Sequence, residues 1–184
     1  MKKGTPKNDD IAAELDKLHV LQGVDFIKQL KLIASFADFH LIETDIYAVG
    51  GEDGNDYDKQ LNAARKAIAF GYTVYILPNP KTTRSADFIF VRKGVYKLFD
   101  LKTISGKNSV GNRLQDSIGQ TNRVLLNITI DYNLRHLARD VRWYFEQSDV
   151  ALEVLIFNKG ISFSATRNIA LSKGFLKMLM NTFR

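Results

Sequence analysis

The sequence predicts an α/β domain with a mixed central sheet flanked by helices and a helical extension ahead of it. Three observations carry this. Apolar residues before residue 40 recur at helical spacings. From Tyr57 onward, helical periodicity alternates with short apolar runs rich in β-branched and aromatic residues. Two Gly-containing turn signals, "RKG" and "NKG", sit between apolar runs and mark hairpins. The chain has 184 residues, 45% apolar and 25% charged, which suits one soluble domain. We divide it into an extension at 1–50 and a domain at 51–184.

Taken in order, residues 8–39 read as helix. Leu15, Leu18, Leu21, Phe26, Leu30, Ile33 and Phe36 form its apolar set, and Gly23 is a break. "HLIETDIYAV" (40–49) alternates in part and reads as a strand. "GGEDGNDYD" (50–58) is a turn-rich loop. "YDKQLNAARKAIAFG" is a helix with Tyr57, Leu61, Ala64 and Ile68 on its stripe and Gly71 at its end. "YTVYILP" is a buried strand stopped by Pro78. "SADFIFVRKGVYKLFDLKTIS" (85–105) is a hairpin. The spacing of Leu114, Ile118 and Leu125 predicts one helix over 108–128, and 131–147 a further helix. "ALEVLIF" and "ISFSAT" form a second hairpin, and the apolar tail "LSKGFLKMLMNTF" is a docked helix.

Composition narrows the function. With no cysteine there are no disulfides, thiolate metal sites or cysteine nucleophiles. No apolar run approaches the length of a membrane span. "MKKGTPKNDD" has basic residues but no apolar segment behind them, so no export signal is expected and the cytoplasm is the expected site of action. The chain starts with Met and carries no long delivery region, which favours a stand-alone protein. A net charge of +6 favours a polyanionic partner such as nucleic acid.

The 85–105 hairpin poses the chemical question. It is largely apolar, yet it holds Asp87 near its start and Asp100 and Lys102 near its end. Burying unpaired charge is costly. Asp100 and Lys102, two apart on a strand, share a face. A turn at Lys93–Gly94 sets Asp87 directly opposite Asp100. Two adjacent carboxylates repel unless a cation lies between them, and hard divalent cations take carboxylate oxygens. A metal with an ammonium beside it suits phosphodiester hydrolysis, because both act on charge that grows on the phosphoryl oxygens in the transition state. The plainer alternative is an Asp100–Lys102 ion pair on an exposed sheet face.

Asp87 ahead of Asp100-Leu101-Lys102 resembles the signature of the PD-(D/E)XK nuclease superfamily. More narrowly, residues 57–157 are similar to the C-terminal nuclease toxin domains of contact-dependent growth inhibition proteins and their mobile-element relatives. The resemblance implies a restriction-endonuclease-like core. It implies Asp87, Asp100, Lys102 and Gln120 as catalytic residues. Asp87, Asp100 and Asp58 would hold Mg²⁺, or Mn²⁺ or Zn²⁺ in its place. Asp58 stands where the family usually has Glu, and Ala86 precedes Asp87 where the motif's name has Pro. On a helical wheel Asp58 lies about 100° from Tyr57, beside Asn62 and Arg65, with Lys59 and Lys66 on the opposite side. A tRNA-cleaving, toxin-like enzyme with a cognate immunity protein is one implied function, and a DNA endonuclease of a mobile element is another.

Basic residues supply the rest of the candidate interface. Arg135, Arg139 and Arg142 repeat at helical spacing, and with Lys107, Arg113 and Arg123 they are candidates to track a phosphate backbone. Trp143, Tyr144 and Phe145 are candidates for base stacking, with core packing as the alternative. His19, His40 and His136 have no metal-ligand spacing. A nucleic-acid-binding module without catalysis is the competing function.

Overall fold

The computed structural model describes residues 39–49, 54–77, 86–107 and 109–184. The helix expected at 8–39, apart from its last residue, and residues 50–53 of the expected loop lie outside them, and a helix begins within that loop at Asn55. The described chain is α/β, with one mixed eight-stranded sheet whose strands lie side by side in chain order. The strand expected at 40–49 is two: β1 (His40–Glu43) and β2 (Ile46–Ala48) pair antiparallel around Asp45, whose φ is 59°. Asp tolerates that left-handed conformation better than most residues do. β2 pairs in parallel with β3 (Thr73–Ile76), so the sheet begins ahead of the boundary drawn at residue 50.

Helix α1 (Asn55–Ala69) connects β2 to β3. Its Ala63, Ala64 and Ala67 are fully buried, and these small side chains let the helix pack against Phe88, Phe90 and Phe99. β4 (Phe88–Arg92) and β5 (Val95–Ile104) form the expected hairpin. Lys93 and Gly94 both have positive φ, the two-residue turn that matches strand twist. The register pairs Phe88 with Phe99, which sets Asp87 across from Asp100.

Beyond β5 the single helix expected over 108–128 is replaced by helix α2 (Val110–Ser117) and strand β6 (Arg123–Ile128). Gly119, at φ 83°, ends the helical run. "RVLLNI" pairs in parallel with β5 on one side and β7 (Glu153–Asn158) on the other. A strand buried on both faces is apolar throughout, so it shows no alternation to separate it from a helix. Helix α3 (Leu134–Gln147) joins β6 to β7, its N-terminus capped by the Asn133 side chain. β8 (Ile161–Thr166) closes the second hairpin through Lys159–Gly160, again both at positive φ. The short helix α4 (Arg167–Ala170) and α5 (Phe175–Thr182) follow.

Two layers of helix therefore enclose the sheet. α1 covers one face. α2, α3 and α5 cover the other through Leu114, Val141, Phe145, Phe175 and Leu179, packed on Val124, Leu126 and Ile156. Among the described residues no helix is long and apolar enough to cross a membrane.

Candidate active site

The site forms where β4 stops and β5 runs on. β4 pairs with residues 95–99 of β5, and the next residues of β5 lose that neighbour. Asp87 fills the gap. Its backbone N–H donates to the Phe99 carbonyl, and its Oδ2 accepts the Leu101 N–H at 2.6 Å. Its Oδ1 accepts from Gln60 Nε2 of α1 at 3.1 Å. Asp87 thus supplies to the open edge the acceptor that another strand residue would have given.

Asp100 is 2% exposed. Lys102 Nζ lies 3.1 Å from its Oδ1, in hydrogen-bond geometry, and 2.9 Å from its Oδ2, where only the charges meet. Oδ2 is buried and receives no hydrogen bond. Lys102 Nζ is also 3.5 Å from Gln120 Oε1, and Gln120 is held by the Asp116 carbonyl, which accepts from its Nε2 at 2.9 Å. Burial raises the pKa of both carboxyls above the ordinary carboxylate range. Asp100 is pushed up to about 7 by desolvation, with Lys102 pulling down and the Asp87 charge pushing up. Asp87 is raised by desolvation against the opposing Leu101 and Gln60 hydrogen bonds. Two buried carboxylates that resist ionising together, one with an unbonded oxygen, are a donor set that a hard cation satisfies.

These groups open into a cleft of about 390 Å³. Asp87, Asp100, Lys102 and Gln120 all line it, and Arg113 of α2 stands on its rim, exposed. The first-helix wall differs from the expected one. Asp56, Lys59 and Gln60 face the cleft, and Asp58 is not among the lining residues. Asp58 is exposed, and its charge acts on Arg65, which is bound to Glu43 at 2.6 Å. Lys59, placed on the far side by the wheel, lines the cleft and pairs with Asp56 at 2.7 Å. Lys66 turns inward instead, donating to Asn127 Oδ1 at 2.6 Å. Sequence reasoning passed over Gln60, which carries no charge; its signal is the i, i+4 spacing from Asp56. Among the described residues no three His, Asp or Glu side chains gather at metal-ligating distance.

The basic residues divide. Lys107 is exposed on the loop after β5, and Arg135 is exposed on α3. Arg139 is exposed and paired with Asp140. Arg142 is spent on structure, donating to the carbonyls of Ala170 and Ser172. Arg123 lies 3.5 Å from buried Glu153, and it alternates with Val124, so it projects to the α1 face, away from Asp100 and Lys102. Tyr144 and Phe145 are core residues, whereas Trp143 is only half-buried. No protein-family model, curated protein or solved structure matches the chain.

Proposed function

We propose that the protein is a metal-dependent nuclease of the PD-(D/E)XK kind, with a restriction-endonuclease-like core. The observation that carries this is the convergence of Asp87, Asp100 and Lys102 at the open edge of β5. The order helix α1, strands β3 to β5, helix α2, strand β6 supports it as well.

The two buried carboxylates, with Asp100 Oδ2 facing the Lys102 ammonium but accepting no hydrogen bond, fit a hard divalent ion. An all-oxygen donor set with room for water suits Mg²⁺ or Mn²⁺ better than Zn²⁺, which favours nitrogen and sulfur ligands. Held by Asp87 and Asp100, such an ion would supply Lewis-acid polarisation of a phosphodiester and activation of water. The chain supplies the rest. Gln60 and the Leu101 N–H fix Asp87 so that its remaining lone pairs face the cleft. Lys102 sets its ammonium beside the phosphate, where it offsets charge that develops on the equatorial oxygens. Gln120 holds Lys102 from behind, and Arg113 meets the next phosphate on the rim.

The test is incubation of the purified protein with duplex DNA, single-stranded DNA and total tRNA, with Mg²⁺, Mn²⁺ or chelator, beside Asp100→Asn. We expect metal-dependent cleavage of at least one substrate, reduced in the variant by at least about a thousandfold. The substrate cut decides between a tRNA-cleaving, toxin-like enzyme and a DNA endonuclease. Binding without cleavage, equal in both proteins, would make this a non-catalytic nucleic-acid-binding module.

A further inference from the structure

On the far side of α2 from the cleft lies a second hollow of about 340 Å³, between α2 and α3. Its apolar wall is Trp143, the chain's single tryptophan, half-buried against the core. Around the ring stand Asn112 and Gln115 of α2, both exposed, and Asp140 of α3, whose side chain is only 11% exposed. Arg139 hangs over the edge with a side chain 69% exposed, its Nε 2.8 Å from Asp140 Oδ1. Two other surface hollows are already filled by their own side chains. In one, Arg65 closes on Glu43. In the other, the Arg92 guanidinium lies 5.3 Å over the Tyr72 ring. In the Trp143 hollow Arg139 and Asp140 pair as well, but among the described residues no ring or guanidinium is stacked on Trp143.

We infer that this hollow is a nucleobase-binding subsite, with Trp143 stacking on a base, Asn112, Gln115 and Asp140 meeting its edge, and Arg139 meeting its phosphate. An aromatic wall with a few convergent polar groups is the common form of a small-ligand pocket, and the volume lies in the usual range. Aromatic stacking is how unpaired bases are held, and side-chain amides offer a donor and an acceptor to a base edge. An unstacked base is required, so the ligand is single-stranded or locally opened nucleic acid. Arg113 faces the cleft from α2 while Asn112 and Gln115 face the hollow, and a helix with its side chains is about 10–12 Å across. A strand crossing α2 therefore spans both within a few nucleotides. The assignment of this base to the substrate rests on the nuclease reading, whereas binding in the hollow does not.

The lone tryptophan makes the test direct. Its fluorescence is followed as short DNA and RNA oligonucleotides are added, in chelator so that nothing is cut. We expect saturable quenching by at least one single-stranded oligonucleotide and little by blunt duplex. Gly111 lines the hollow, and the nearest atoms to a Cβ there would be those of the Asp140 carboxyl, in ordinary contact at 3.5 Å. Gly111→Leu adds a side chain at the wall of the hollow and should weaken the quenching at least tenfold, with far-UV circular dichroism of the variant checking that α2 is intact. Arg139→Ala, at an exposed position, should weaken it severalfold. No saturable quenching by any oligonucleotide, or equal quenching in wild type and Gly111→Leu, overturns the inference. Quenching by an acidic peptide alone overturns it too, and gives the hollow to a protein partner. Quenching without cleavage of any substrate would sink the nuclease reading and keep the subsite; cleavage without quenching would do the reverse.

Discussion

At the scale of single residues, the carboxyl of Asp100 sets the behaviour of the metal-free protein. Burial raises it to about 7, against about 3.9 in an unfolded chain. Folding thus favours its protonated form. That contribution is fully present below pH of about 4 and is lost as pH rises through about 7. In chelator the protein should therefore lose stability between pH of about 4 and 7, by an amount on the order of a few kcal/mol. Asp100→Asn keeps the shape without the charge. It should flatten that slope and melt higher than wild type at pH 8, and Mg²⁺ should raise the wild-type Tm more than the variant's. A thermal-melt series against pH checks this, and an unchanged slope in the variant would refute it. Gln60 acts through Asp87. Gln60→Leu keeps bulk but removes the donor to Oδ1, so Mn²⁺ affinity by calorimetry should fall about tenfold. Asp87, Asp100 and Lys102 were legible in the sequence because charge in an apolar strand is costly, whereas Asp56 and Lys59, charges on an exposed helix face, were not. Gln60 was not, because a glutamine in a helix violates no rule.

At the scale of elements, the two hairpins could be read directly, since Lys93–Gly94 and Lys159–Gly160 are turn residues flanked by apolar runs. α2 and β6 could not be separated that way. Leu114, Ile118 and Leu125 fit a helical stripe, but Leu125 is in a central strand, paired with Leu101 on one side and Leu155 on the other. Neighbouring strands decide that assignment, and they are distant in sequence. What divides the two elements locally is Gly119, whose left-handed φ of 83° lets the chain leave α2 and brings Gln120 to Lys102. Space does not limit this position, because a Cβ there would touch nothing within 4 Å. The cost of a side chain is conformational, about 1–2 kcal/mol for an L-residue in that region. Gly119→Ala should lose about that much in urea denaturation, and activity should fall further because Gln120 shifts. Gly174→Ala, at an ordinary φ of −87°, is the control and should cost much less.

At the scale of the whole molecule, a buried ionic cluster ties the strands of the sheet together from the α1 face. Glu153 at the start of β7 is 4% exposed. Its Oε2 meets Lys97 of β5 at 2.6 Å and Arg123 of β6 at 3.5 Å, and its Oε1 accepts from Ser164 of β8 at 2.6 Å. Four strands thus share one carboxylate, with β5 also carrying the hairpin that holds the candidate site. This explains why Arg123, expected to meet phosphate, is committed elsewhere; its partner lies thirty residues downstream and no local pattern connects them. Removing the carboxylate leaves two cations facing each other in a partly buried place. Breaking such a cluster from one side costs about 3–5 kcal/mol, and the one-third exposure of the Lys97 side chain argues for the lower end. Glu153→Ala should lower the urea midpoint accordingly. The denaturant slope should stay unchanged, because β5 belongs to both halves of the sheet and neither can open alone. Metal affinity at Asp100 should also be unchanged, since the cluster lies on the opposite face. Replacing all three charges together, Lys97→Met, Arg123→Met and Glu153→Leu, should recover most of the loss, because the cost lies in the unpaired cations rather than in the missing bond. A shallower or two-step transition in Glu153→Ala would mean that the halves of the sheet unfold separately and that the cluster, rather than β5, joins them.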